Sequence, residues 1–131
     1  MAEGFAKDIL KKQFKVFSAG TEPKPIHPLA IQVMREVNID ISHQSSKHLN
    51  SLDQTSWDLL ITVCDQANKA CPLFSKSMEV AQTIHVPFPD PPLLAKNKTL
   101  VSSELESFRM VRNQIGQYIE DLKNEFETAC M

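Results

Sequence analysis

Two cysteines stand at a spacing at which thiols could carry out redox chemistry. Cys64 ends the apolar run 59–64, and Cys71 follows seven residues later, directly before Pro72. A loop this short closes easily, so the two thiols could exchange between a dithiol and a disulfide. Lys69 is near enough in sequence to favour a thiolate. Spacing alone leaves open the alternative that Cys64 is a small buried core residue and Cys71 an incidental surface thiol.

Asp90 is the third candidate, because it lies between Pro89 and Pro91 after a predicted strand. A carboxyl group held in this way could act as a general acid, or it could only hydrogen-bond its own turn. The chain has no Cys-x-x-Cys motif, so no zinc site is predicted, and no cofactor is expected. The histidines form no triad-like arrangement in the sequence, and we interpret each as a turn, surface or half-buried residue: His27, His43, His48 and His85.

Composition narrows the class of protein. With 131 residues the chain is predicted to be one domain, residues 1–131. Its formal charge of −2 excludes nucleic-acid binding through bulk positive charge. No apolar run approaches the roughly 20 residues of a membrane helix, and the acidic start of the chain does not resemble a signal peptide. Three cysteines without a secretory signal argue against a disulfide framework. We therefore expect a cytoplasmic protein that binds neither nucleic acid nor membrane.

Helical and strand patterns alternate along the chain. Apolar periodicity predicts three helices, and short apolar runs predict three strands. The first expected helix starts at Met1, carries Phe5, Ile9 and Leu10 at helical spacing and runs to about Lys12. The second begins at Pro28, has an apolar face that includes Val37 and ends near Asn38, and a long third helix is opened by a capping box at Ser103 and Glu106. The expected strands are Lys15–Ser18, Leu59–Cys64 and an edge strand 83–88. This order predicts an α/β domain with a mainly parallel sheet, whose sites form at the carboxyl ends of strands.

Several segments together resemble the thioredoxin-coupled arsenate reductases, which share the fold of the low-molecular-weight protein tyrosine phosphatases. The resemblance extends over almost the whole chain and implies a three-layer αβα architecture with a short parallel sheet. Its most specific part is the spacing of Cys64 and Cys71 before Pro72. The other matching segments are 1–6, Ser18-Ala19-Gly20, His27-Pro28-x-Ala30, Ile39-Asp40-Ile41-Ser42, Thr62-Val63-Cys64-Asp65, Phe88-Pro89-Asp90-Pro91 and Phe108-Arg109-Met110-Val111-Arg112.

The resemblance implies a relay of three cysteines that reduces arsenate to arsenite. The first cysteine belongs to a Cys-x5-Arg loop, which binds the arsenate or a phosphate-like oxyanion and attacks arsenic. Cys64 matches the second cysteine, which attacks the adduct and releases arsenite. Cys71 matches the third, which leaves a Cys64–Cys71 bridge for a thioredoxin-type reductant. Asp90 matches the residue that protonates the leaving oxygen.

The sequence departs from this family at one decisive point. Met1 matches a position just after the oxyanion loop, and no Cys-x5-Arg motif occurs in the 131 residues. The first strand, which is central in the family's sheet between the strands holding Val16 and Ile61, is also missing. We therefore expect the chain to be inactive alone, less stable than a full domain, and able to self-associate through exposed strand edges.

Two alternatives to a shortened arsenate reductase remain. One is a degenerate relative that binds a partner or acts as a thiol redox module. The other is a low-molecular-weight protein tyrosine phosphatase. Against the phosphatase, Pro91-Pro92-Leu93-Leu94 lacks the tyrosines that such phosphatases carry after the aspartate. The cysteine pair also has no role in hydrolysing a phosphate ester.

Overall fold

Contacts within the chain divide the molecule into two compact units. The computed structural model describes residues 1–20, 25–48, 56–63, 79–89 and 101–129, and within the last range the side chains of 104–126. The first unit comprises Met1–Phe17, Ile26–Ser45 and Asp90–Met131, and the second comprises Ser18–Pro25 and Ser46–Pro89. Each unit is described by itself.

Three helices build the described part of the first unit: α1 (Ala2–Ile9), α2 (Pro28–Arg35) and α3 (Val101–Ala129). The sequence predicted all three. One face of α3 is apolar at helical spacing, and both α1 and α2 pack against this helix. Within the described part of the chain, no helix is long and apolar enough to cross a membrane. The α3 face consists of the buried residues Phe108, Val111, Ile115, Ile119 and Leu122.

The ends of the helices agree with the sequence in part. As predicted, Pro28 is the first residue of α2, and Asn38 has the left-handed backbone (φ 63°) that ends the helical segment. Helix α1 ends at Ile9 and not near Lys12. The predicted start of α3 at Ser103 is wrong: the helix already begins at Val101, so Ser103 lies within its first turn. Val37 is 37% exposed, because α2 has ended before this residue.

Close packing around two glycines holds α1 in place. A Cβ atom on Gly116 of α3 would lie 2.9 Å from Cε1 of Phe5, so the absence of a side chain lets this ring approach α3. A Cβ atom on Gly4 would lie 2.7 Å from Cγ2 of Ile41, a residue that is 1% exposed. Both distances are shorter than ordinary van der Waals contacts. Helix α1 therefore depends on glycine for its approach to both neighbours.

The described part of the second unit contains four short strands in two parallel pairs. Strand β1 (Ser56–Trp57) pairs with β3 (Glu79–Val80), and β2 (Leu60–Thr62) pairs with β4 (Thr83–His85). The predicted strands at 59–64 and 83–88 are thus confirmed over three residues each. Leu60 and Ile61 are only half-buried, whereas Thr62 is buried.

The predicted strand Lys15–Ser18 is wrong. Residues 14–19 form neither helix nor strand, and the nearest regular pairing is a single parallel bridge between Gly20 and His48. Strand-forming side chains such as Val16 and Phe17 do not make a strand unless their backbone joins a ladder. The Nζ of Lys15 lies 5.5 Å from the centre of the Phe17 ring.

We expect Gly4→Ala to destabilise the protein. Alanine would favour the helix by about 1 kcal/mol, but its methyl group would collide with Ile41, and overpacking a rigid core costs about 1–3 kcal/mol. The net change should lower the free energy of unfolding by up to about 2 kcal/mol, measured by urea denaturation. Asp8→Ala, at an exposed position of the same helix, is the control. A Gly4→Ala protein as stable as the natural chain would contradict this packing.

Candidate active site

The carboxyl ends of β2 and β4 lie side by side, and two of the predicted site residues follow them in sequence. The two strands are parallel and pair Thr62 with His85. Beyond the strands the backbones stay bonded: the amide of Val86 donates to the carbonyl of Thr62 at 2.8 Å, and the amide of Phe88 donates to the carbonyl of Val63 at 3.3 Å. This edge of a parallel sheet is where functional residues collect in α/β proteins.

A side-chain hydrogen bond joins the two strands at this edge. Oγ1 of Thr62 lies 2.7 Å from Nδ1 of His85. Thr62 is only 5% exposed and His85 is half-buried. Buried hydroxyl groups are almost always hydrogen-bonded, and His85 supplies the partner. Sequence analysis assigned His85 no chemical role and interpreted it as a turn, surface or half-buried histidine, which agrees with this arrangement.

The three predicted catalytic residues lie outside the described residues. Cys64 comes two positions after Thr62, Asp90 comes directly after Pro89, and Cys71 follows Cys64 by seven positions. Cys130 also lies outside the described residues. Across the described ranges, no three His, Cys, Asp or Glu side chains come together in a way that could hold a metal ion. The predicted roles of the two cysteines and the aspartate therefore remain predictions.

Two of the family-like motifs stabilise the backbone on either side of α2, one at its start and one in the turn after its end. Nδ1 of His27 accepts a hydrogen bond from the amide of Leu29 at 3.1 Å and caps α2. The His27 ring also packs on Phe108, with ring centres 4.7 Å apart. After α2, Oδ1 of Asp40 accepts hydrogen bonds from the backbone amide (2.9 Å) and the hydroxyl (2.6 Å) of Ser42. These bonds lower the pKa of the Asp40 carboxyl, and they hold a turn next to the buried Ile41.

A cluster of charges that sequence analysis missed links the end of α2 to α3. Glu36 accepts hydrogen bonds from both arginines of the Phe108–Arg112 motif. Nη2 of Arg109 donates to its Oε2 at 2.8 Å, and Nη1 of Arg112 donates to its Oε1 at 2.7 Å. Nη1 of Arg109 also pairs with Glu106 at 2.5 Å. The spacing of Glu106 and Arg109 on one helix face was visible in the sequence, but the role of Glu36 was not.

The two arginines change the acidity of Glu36. Hydrogen bonds from Arg109, with a further contribution from Arg112, hold the pKa of the Glu36 carboxyl at about 2, below its usual value of 4.5. The same bonds with Glu36 and Glu106 raise the pKa of Arg109. Glu36 and Arg109 therefore stay charged over the whole physiological range of pH, and their ion pair links the end of α2 to α3.

Helices together with parallel strands define an α/β protein, and in its sequence a cysteine and an aspartate follow the two neighbouring strands β2 and β4. The model of the low molecular weight phosphotyrosine protein phosphatase family matches residues 1–129. The chain belongs to this family, and within it the chain is arsenate reductase-like. The α/β fold predicted from the sequence is thereby confirmed.

The chain is similar to several arsenate reductases. The chain is 35% identical over 123 residues to arsenate reductase 1 of Staphylococcus haemolyticus (strain JCSC1435), which covers 94% of this chain and 84% of that protein. It is 34% identical over 120 residues to arsenate reductase of Bacillus cereus (strain G9842), covering 92% and 81%. A solved structure of an arsenate reductase in the phosphate binding state has a TM-score of 0.75 and 31% identity, covering 95% of this chain and 86% of that one. An arsenate reductase in oxidized state gives 0.72 at the same identity and coverage.

We expect Glu36→Gln to lower the melting temperature at pH 7 by a few degrees, with a difference that disappears in acid. Since the pKa of Glu36 is lower in the folded state, its charge stabilises the fold above pH 4.5, and this contribution is lost as the pH falls from 4.5 towards 2. The melting temperatures of the variant and the natural chain should therefore approach each other as the pH falls from 4.5 towards 2. Glu120→Gln, at an exposed position of α3, should follow the natural chain throughout. A pH-independent difference would contradict the assignment.

Proposed function

We propose that this chain carries the relay half of an arsenate reductase, in which Cys64 and Cys71 pass oxidation from an arsenic adduct to a thioredoxin-type reductant. The observation that carries the proposal is the motif Cys64-x6-Cys71-Pro72, which begins two residues after β2. The chain also covers most of the length of two arsenate reductases that it resembles in sequence. The substrate would be arsenate, with phosphate as the related oxyanion.

The proposed reduction has four steps. A thiolate held in a Cys-x5-Arg loop attacks arsenate, and Asp90 gives a proton to the leaving oxygen. The Cys64 thiolate attacks the sulfur of the adduct, so the sulfur–arsenic bond breaks, its electron pair reduces arsenic, and arsenite leaves. The Cys71 thiolate then displaces the first cysteine from Cys64. The resulting Cys64–Cys71 disulfide accepts two electrons and two protons from the dithiol of a thioredoxin-type protein.

The position of Cys64 and Asp90 in the sequence supports this division of labour. Both follow strands of one parallel pair, and the backbones of these strands remain bonded as far as Val63 and Phe88. Asp90 lies two residues beyond the second of these. We further propose that residues 1–131 form one domain. We also propose that the chain can self-associate through strand edges.

We expect the 131-residue chain alone to show neither arsenate reduction nor phosphatase activity. No cysteine in it stands in a Cys-x5-Arg loop, and losing the nucleophile removes most of an enzyme's rate. Joining to Met1 an N-terminal segment that carries a Cys-x5-Arg loop should raise thioredoxin-coupled arsenite production by at least about a thousandfold. Arsenate turnover by the unextended chain would contradict the proposal.

The extended protein also separates reduction from phosphatase chemistry. Cys64→Ser and Cys71→Ser should each abolish arsenate turnover but leave the hydrolysis of p-nitrophenyl phosphate unchanged, because ester hydrolysis needs no relay. Cys130→Ser, which removes the remaining cysteine of this chain, is the control and should change neither activity. Arsenate turnover that survives both serine substitutions would overturn the relay.

We expect Cys64 and Cys71 of the natural chain to form a disulfide under mild oxidation, and reduced thioredoxin to open it. The short loop between them gives the two thiols a high effective concentration. Oxidation with glutathione disulfide followed by peptide mapping tests the pairing. Pairing of either thiol with Cys130, or three free thiols after oxidation, would count against the prediction.

A further inference from the structure

The hydrogen bond between Thr62 and His85 is placed where it can control a neighbouring thiol. Thr62 is the last residue of β2, and Cys64 follows two positions later. The bond is short, at 2.7 Å between Oγ1 and Nδ1, and it joins two residues that also face each other in the strand register. At the end of β2, this side-chain hydrogen bond therefore adds to the backbone pairing between the two strands.

The backbone pairing lengthens just after Thr62, whose own carbonyl accepts the Val86 amide at 2.8 Å. The next bond after Thr62, from the amide of Phe88 to the carbonyl of Val63, is 3.3 Å long, at the outer limit for a good hydrogen bond. Val63 is also 37% exposed, so packing secures it little. The Thr62–His85 bond, at 2.7 Å, and the Val86–Thr62 bond are both shorter than the bond to Val63.

The bond can form with either arrangement of the proton between the two atoms. When Nδ1 carries no proton, the Thr62 hydroxyl donates to it; when Nδ1 carries one, Nδ1–H donates to Oγ1, because a hydroxyl group both donates and accepts. The bond therefore serves to join the two strands.

We propose that Thr62 and His85 are positioning residues for the Cys64 thiol: their hydrogen bond joins the end of β2 to β4 two residues before Cys64, and thereby favours formation of the Cys64–Cys71 disulfide. The inference rests on the proposed relay role of Cys64. In the step concerned, the two thiols lose two electrons and two protons and form one disulfide, while glutathione disulfide takes them up and becomes two molecules of glutathione. Fixing one thiol raises the effective concentration of the pair.

Four substitutions in the full 131-residue chain test the bond. Thr62→Val keeps the shape but removes the hydroxyl, and His85→Gln places its polar end near the Nε2 position, away from Thr62. Thr62→Ser keeps the hydroxyl, and His85→Asn places an amide near the Nδ1 position, so these two variants retain the bond. The equilibrium constant for Cys64–Cys71 disulfide formation is measured against defined ratios of oxidised and reduced glutathione, with the pairing identified by peptide mapping.

The first pair of variants should lower this equilibrium constant about fivefold, the effect of one hydrogen bond, and the second pair should stay within about twofold of the natural chain. Hydrogen exchange of the Val86 and Phe88 amides should accelerate in the first pair only, because these amides bond to the loosened end of β2. Equal equilibrium constants in all five proteins would overturn the positioning role and leave the relay intact.

Two other outcomes are equally decisive. A loss of the same size in Thr62→Ser and His85→Asn would overturn the inference, because these variants keep the hydrogen bond. A natural chain that forms no Cys64–Cys71 disulfide at any glutathione ratio would overturn the relay itself, and the positioning role with it.

Discussion

The first unit depends on the apolar stripe of α3. Its residues recur at helical spacing, and Phe108 and Val111 at its N-terminal end are almost completely buried. Both short helices pack against α3, and helices of only eight residues are marginal without such support. Packing against this stripe is therefore what makes α1 and α2 stable. The glycine contacts of α1 and the charge cluster at Glu36 refine an arrangement that the stripe has already determined.

In the second unit the corresponding constraint is one constant register. From Ser56 to Thr62, every paired residue faces the residue 23 positions later, although the ladder is interrupted between β1 and β2. Bonds from Ala81 to Trp57 and from Leu60 to Gln82 bridge the interruption. Because side chains alternate between faces, a slip of one residue would turn Thr62 away from His85. The register therefore determines that Thr62 faces His85 at the end of β2.

Local signals could be predicted from the sequence, and distant pairings could not. Pro28 and Asn38 mark helix ends by their own backbone preferences, and the α3 stripe follows from periodicity. The strand at 15–18 failed, since β-forming side chains need a partner that no local pattern names. Glu36 and Arg109 are 73 residues apart, so their ion pair exists only in the fold. The motif around Cys64 was sufficient to indicate the family. The geometry of the proposed cysteine pair, however, is not a local property of the sequence.

Arg112 illustrates how the planar shape of a guanidinium group can make a position intolerant of a substitution that conserves charge. Its Nη1 donates both to Glu36 and to the carbonyl of Val33 at 3.0 Å, in the last turn of α2, while Nε and Nη2 both donate to Oδ1 of Asn113. A lysine would bring the same charge, but its ammonium is a single point that cannot span acceptors on two sides. Position 112 thus discriminates between the two basic residues by the number and direction of their donors, and natural variation there should follow geometry and not charge.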